Sequence, residues 1–225
     1  MPRTRPILGL LLALPVLAAC APPPGAPMQP GLVTPDVAQS GVTPADLAQS
    51  GRLAKAEPAA PDPAAIAALA DAITALDPAI AAAEAARAAR IAHVYPLDLA
   101  RRYEIEDPPY WHNVKVLNGT KPRGTCWHFA EDLQARLAQE GFRTLSLHRA
   151  IAEPMFRLDH AAVVVTARGA PMVSGVVLDG WRNGYGRLFW SPVAEDRRYR
   201  WEERAVVRAR RLARRGLPPD TGPPD

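Results

Sequence analysis

The large apolar side chains of this 225-residue chain are distributed so unevenly that only its second half can build an extensive core. Residues 21 to 63 are rich in Pro, Ala, Gly and Gln and contain an imperfect duplication, VTPDVAQSG (33–41) and VTPADLAQSG (42–51). Such a stretch buries too little apolar surface to offset its chain entropy, and it reads as a disordered tether. Residues 64–95 are alanine-rich, with Ile66, Leu69, Ile73, Leu76 and Ile80 at helical spacing. Pro78 interrupts that run, so two helices or one kinked helix are expected, packed on the main domain or on a partner. From about Leu97 the character changes, with Tyr, Trp, Phe, Val and Leu becoming frequent. About 120 residues remain, enough for one core.

Within residues 97–201, Phe129, Leu133 and Leu137 recur at i, i+4 and i+8, predicting a helix over 126–139 that stops at Gly141. The segment FRTLSLH (142–148) alternates like a strand. HAAVVVTA (160–167) and MVSGVVLDGW (172–181) are apolar runs either side of the turn residues RGAP. A helix followed by an antiparallel meander is an α+β pattern. Residues 202–225 read as a basic helix and a disordered tail.

The chain opens MPRTRPILGLLLALPVLAAC. Two arginines precede an apolar run from Ile7 to Leu17, too short to span a bilayer, and small residues follow. The sequence Leu17-Ala18-Ala19-Cys20 resembles the bacterial lipobox, in which the cysteine is acylated and becomes the first residue of the mature protein. The resemblance implies a signal peptide at residues 1–20, a lipid on Cys20, and membrane anchoring through it. With Ala21 next, it implies sorting to the periplasmic face of the outer membrane. Export also argues against a nucleic-acid partner. The formal charge of +4 comes largely from arginines near the C-terminus and is at most a weak pointer to anionic surfaces.

Cysteine usage carries a consequence. The chain has two cysteines, and if Cys20 carries lipid then Cys126 has no partner in an oxidising compartment. Cys126 follows Thr125, a favourable N-cap, and so falls in the first turn of its helix. Backbone N–H groups and the helix dipole there stabilise a thiolate. Gly124 permits close backbone approach. A nucleophilic cysteine needs a base as well. Of five histidines, His128 lies about 200° around the helix from the thiol, and His93, His112 and His148 have no distinguishing context. His160 opens an apolar strand, where a packed strand-end residue is the plain alternative. Asp179 closes the next apolar strand, where a carboxylate needs a partner. If strands 160–167 and 172–179 turn at Gly169-Ala170, the simplest register sets Asp179 directly across from His160. No metal-ligand spacing is present, and neither metal nor cofactor is expected.

The combination GTCWHFAEDL, DHAAVVV and VVLDGW resembles the transglutaminase-like superfamily of papain-type folds over about residues 110–190. The resemblance implies an N-terminal catalytic helix packed on an antiparallel sheet. It implies Cys126 as nucleophile, His160 as general base and acid, and Asp179 as orienting carboxylate. It also implies an oxyanion hole from the Cys126 N–H and an upstream donor, for which Trp111, His112, Asn113 and Asn118 are candidates. Where the family often has an aromatic after the histidine, this chain has Ala161-Ala162; Asp179 is followed by Gly180. Trp127, Trp181 and Asn183 are candidates for the substrate cleft, with Trp181 and Trp190 also suited to a core that covers the three residues. The function expected is a lipid-anchored thiol enzyme, a peptidase, amidase or acyl transferase acting through a thioester on envelope proteins or peptidoglycan peptides. The competing class is a non-catalytic envelope lipoprotein that uses the scaffold for binding or assembly, with Cys126 buried and inert.

Overall fold

The computed structural model describes residues 60–152 and 159–218, all within one unit spanning 48–225. Cys20, the signal-like segment and the tether up to residue 59 lie outside the described residues, as do residues 219–225. Five α-helices and one antiparallel five-stranded sheet make an α+β architecture among the described residues.

Helix α1 (Pro63–Thr74) begins where the Asp62 side chain accepts from the Ala64 N–H at 2.9 Å and Pro63 takes the first turn, needing no donor. The chain breaks around Pro78, and α2 (Ala82–Arg102) follows. Helix α2 runs through Pro96 without ending, its proline buried in the helix interior. Alanines 85, 88, 89 and 92 let α2 lie close to α1 and to the helix that starts at Cys126, and all share one core cluster with Leu69 and Ile73. Helix α3 (Pro109–Leu117) leads to α4 (Cys126–Ala138), and Gly141 closes the following turn at φ +58°.

The strands are β1 (Leu145–Ala152), β2 (His160–Ala167), β3 (Val176–Asp179), β4 (Phe189–Pro192) and β5 (Glu202–Glu203), in the spatial order β4-β3-β2-β1-β5. Helix α4 packs on β1, β2 and β3. The pleat divides β2 between two cores: Ala161, Val163 and Val165 join the helices, whereas Ala162 and Val164 join Val177, Val193 and Trp201 on the other side. Burial on both faces explains why this strand is an unbroken apolar run. Helix α5 (Arg204–Arg214) follows β5 directly and docks through Val207, 2% exposed.

Three expectations are corrected. The strand expected from residue 142 begins at Leu145, because the Glu84 carboxylate on α2 captures the Arg143 and Thr144 N–H groups at 2.9 and 2.8 Å. Residues Met172–Ser174, expected as strand, form a 3₁₀ turn closed by the Ser174 N–H donating to the Pro171 carbonyl at 3.0 Å. The longer turn changes the register. Val163 faces Leu178 and Val165 faces Val176, so Asp179 is not directly across from His160 but displaced by two residues. A two-residue slip keeps both side chains on one face, where a one-residue slip would separate them.

Candidate active site

Cys126 stands at the head of α4, 4% exposed, and is the free cysteine of the described residues. The turn leading into it is held tightly. Gly124 has φ +122°, and a Cβ there would meet His112 Nε2 at 2.3 Å, so only glycine fits. His112 is fully buried and donates from Nε2 to the Arg123 carbonyl at 2.9 Å. His128 takes the place that Glu or Gln fills in a capping box: its Nδ1 accepts from Gly124 N–H at 3.1 Å and Thr125 N–H at 3.3 Å. Burial and the nearby Arg123 charge hold His128 below the ordinary histidine pKa, which keeps that acceptor available. His128 therefore braces the turn and points away from the chemistry.

His160 opens β2 beside the thiol. The Cys126 Sγ donates to the carbonyl of Asp159, the residue before His160, at 3.7 Å. On the far side of the ring, His160 Nε2 meets Asp179 Oδ2 at 2.6 Å. That leaves Nδ1 as the ring nitrogen available to sulfur. Asp179 is 1% exposed and is held from several directions. Its Oδ1 accepts from the Trp181 and Arg182 N–H groups, each at 3.0 Å, and its Oδ2 accepts from Arg182 Nε at 3.0 Å. Burial opposes the Asp179 charge, but His160 and Arg182 outweigh it and hold the carboxyl below its usual range. Burial likewise opposes the imidazolium, yet the Asp179 and Cys126 side chains raise the His160 pKa to about 9. The three residues singled out in the sequence are thus all buried, His160 paired with Asp179 and Cys126 against the residue before His160.

Around them stands an aromatic box that sequence reading captured only in part. Tyr199 stacks on the His160 ring with centroids 4.5 Å apart at 26°, while Trp181 and Trp201 flank it at 5.2 and 5.6 Å. Arg182 bridges two carboxylates, contacting Asp179 and, through its terminal nitrogens, Asp196 at 3.2 and 2.7 Å. Asp196 also accepts from Trp201 Nε1 at 2.9 Å and from the Arg198 N–H at 3.0 Å. Arg182, Asp196, Tyr199 and Trp201 were not expected from sequence. The one local signal was Arg182 three residues after Asp179, a spacing that suits an Asx-type turn.

Of the cleft candidates, Trp127 lines a groove with Ile151 and residues of α5, and Trp181 covers His160. Asn183 is spent within its own loop, donating from Nδ2 to the Leu188 carbonyl at 3.2 Å. Trp190 packs against the main core. Among the upstream donors, Trp111 is 60% exposed on α3 and Asn118 caps its own turn through the Thr120 N–H at 3.1 Å. His112 lies against Gly124, next to the helix start.

Among the described residues no group of His, Cys, Asp and Glu is arranged to hold a metal ion, and no helix is long and apolar enough to cross a membrane. Comparison with known proteins returns no matching family model, no matching curated protein and no matching solved structure.

Proposed function

We propose that the chain is a papain- or transglutaminase-like thiol enzyme of the bacterial envelope, anchored by lipid on Cys20. The observation that carries this reading is the buried His160–Asp179 pair at the ends of two strands, with the Cys126 thiol at a helix head against the residue that precedes His160. The chemistry follows from the geometry. His160 holds the proton, Cys126 Sγ attacks a substrate carbonyl, and the carbonyl π electrons move onto oxygen. The resulting oxyanion forms next to the first-turn N–H groups of α4, whose partial charge favours it. As the C–N bond breaks, the imidazolium gives its proton to the leaving amine and a thioester remains on Cys126. Water, or a second amine, then gives a proton to His160 and displaces the sulfur. Asp179 keeps the ring oriented throughout and stabilises its charged form. Peptidase or amidase action and acyl transfer share every step up to the acceptor. Envelope proteins and peptidoglycan peptides are the substrates suited to an anchored, tethered domain.

One observation favours a second reading, a binding scaffold without turnover: Cys126 is 4% exposed and its thiol is engaged by the Asp159 carbonyl. The test is the rate of iodoacetamide labelling at Cys126 as a function of pH, followed by peptide mass mapping. The enzyme reading expects rapid labelling well below pH 8 and a loss of roughly 10²-fold in His160→Ala. Slow labelling that rises only as an ordinary thiol ionises, unchanged in His160→Ala, would sink it and leave the scaffold.

A further inference from the structure

The turn that presents Cys126 is gathered on a single nitrogen. His128 Nδ1 accepts from the Gly124 N–H at 3.1 Å and from the Thr125 N–H at 3.3 Å, and the Thr125 hydroxyl stands 3.1 Å from the same atom. Both N–H groups precede α4, where no intrahelical carbonyl reaches them. An imidazole nitrogen accepts only while it carries no proton, so these bonds require a neutral ring protonated on Nε2. Glu and Gln, the usual residues at this place in a capping box, keep an acceptor oxygen at any pH. Histidine makes the cap titratable.

The groups facing the ring set when that happens. Burial, the larger effect, and Arg123 from the segment before α4 both oppose a charge on His128. Glu131 and Asp132, from the next turn of α4, favour it, but Arg123 engages them at 3.1 and 2.9 Å. Tyr103, which caps α2, sets its ring edge-on to the imidazole with centroids 6.4 Å apart. Its hydroxyl meets the Asp132 carboxylate and the His128 carbonyl. The balance leaves the ring neutral at pH 7 and charged in acid.

We propose that His128 is an acid-sensitive latch on the nucleophile: one proton from solvent, taken up on Nδ1, turns the acceptor into a donor and releases the turn that carries Cys126. Two backbone donors would then face a third, so Gly124 and Thr125 let go and the start of α4 frays. Cys126 leaves its place against Asp159 and loses the first-turn N–H groups that favour its thiolate. The sign is fixed. The brace is fully present above the ordinary histidine value of about 6.5 and is lost as pH falls through the lower value that the fold imposes. His128 is thus a positioning residue, acting through the backbone that bears the sulfur. Release of the turn follows from the cap alone, whereas its effect on reactivity rests on the thiol-enzyme reading above.

The test is amide hydrogen exchange of the full chain, read by NMR as protection factors between pH 7.5 and pH 4.5. Wild type is compared with His128→Gln, which keeps an acceptor oxygen but takes up no proton. Protection at Gly124 and Thr125 should fall by about fivefold or more in wild type while the centre of β2 holds, and should stay within about twofold in His128→Gln. Any effect of acid on Glu131 or Asp132 is common to both proteins. Protection at Gly124 and Thr125 that survives the titration of the His128 ring, followed by its own nitrogen shifts in wild type, overturns the inference without recourse to a variant. So does a fall matched in His128→Gln, or one shared by the centre of β2, which would mean that acid opens the whole fold. Cys126 labelling by iodoacetamide, each protein normalised to its own rate at pH 7.5, should drop further in acid for wild type than for His128→Gln by a similar factor. Equal drops overturn the latch on the thiol. Unchanged labelling in His160→Ala removes the thiol-enzyme reading and leaves the exchange result standing.

Discussion

His160 Nε2 and Asp179 Oδ2 lie 2.6 Å apart in a space almost closed to solvent, with their residues 3% and 1% exposed. Backbone N–H groups from Trp181 and Arg182 and the Arg182 guanidinium occupy the rest of the carboxylate, so it has little freedom to turn away. The pair makes the imidazolium part of the folded state rather than a passing form.

Stability should therefore depend on pH with a definite sign. The His160 pKa is raised to about 9, so its stabilising contribution is fully present below the ordinary histidine value of about 6.5 and disappears as pH climbs through 9. Urea unfolding of the wild type should lose on the order of 3 kcal/mol more than His160→Gln across that window. Parallel profiles for the two proteins would contradict the pairing.

Arg182 is the counter-ion for two buried carboxylates, Asp179 and Asp196, each with a side chain 1% exposed. Arg182→Met should cost about 3–5 kcal/mol at neutral pH by leaving Asp196 buried without its counter-ion and Asp179 with His160 alone. The loss should shrink in acid, where those carboxyls can protonate. Denaturant titrations at pH 7 and pH 4 read both effects.

Two glycines with positive φ should respond differently to alanine. At Gly141, φ +58°, a Cβ meets nothing within 4 Å, so Gly141→Ala carries only backbone strain of about 1–2 kcal/mol. At Gly186, φ +74°, a Cβ would stand 2.1 Å from the Pro96 carbonyl oxygen. Backbone cannot yield there without moving the loop that carries Trp181 and Arg182. Thermal melts should show a clearly larger drop for Gly186→Ala, together with slowed Cys126 labelling that Gly141→Ala lacks.

The Glu84 carboxylate joins α2 to the start of β1 by accepting from the Arg143 and Thr144 N–H groups and from the Thr144 hydroxyl at 2.7 Å. Glu84→Gln replaces part of that acceptor with an amide donor facing the same N–H groups. A loss of about 1–3 kcal/mol is expected, with amide hydrogen exchange at Arg143 and Thr144 accelerated before exchange in the centre of β2.

Much of the site is legible in the order of residues, and the reason is local geometry. Thr125 before an i, i+4, i+8 apolar stripe marks where α4 begins, which places Cys126 at its head. An apolar run that opens with His160 and another that closes with Asp179 make strand ends of both, and the period of two puts them on one face however the register slips by pairs. What the tertiary structure alone decided is the rest. The two-residue displacement comes from the 3₁₀ turn at Met172–Ser174, whose apolar residues read as strand. The late start of β1 comes from Glu84, some sixty residues away along the chain. The Arg182–Asp196 bridge, the Tyr199 stack and the groove between Trp127 and α5 likewise join segments that no local period connects. Face and helix start follow from backbone repeats a few residues long. Register, buried ion pairs and ring stacking depend on which distant groups can satisfy a buried charge, and only the packed chain brings those groups together.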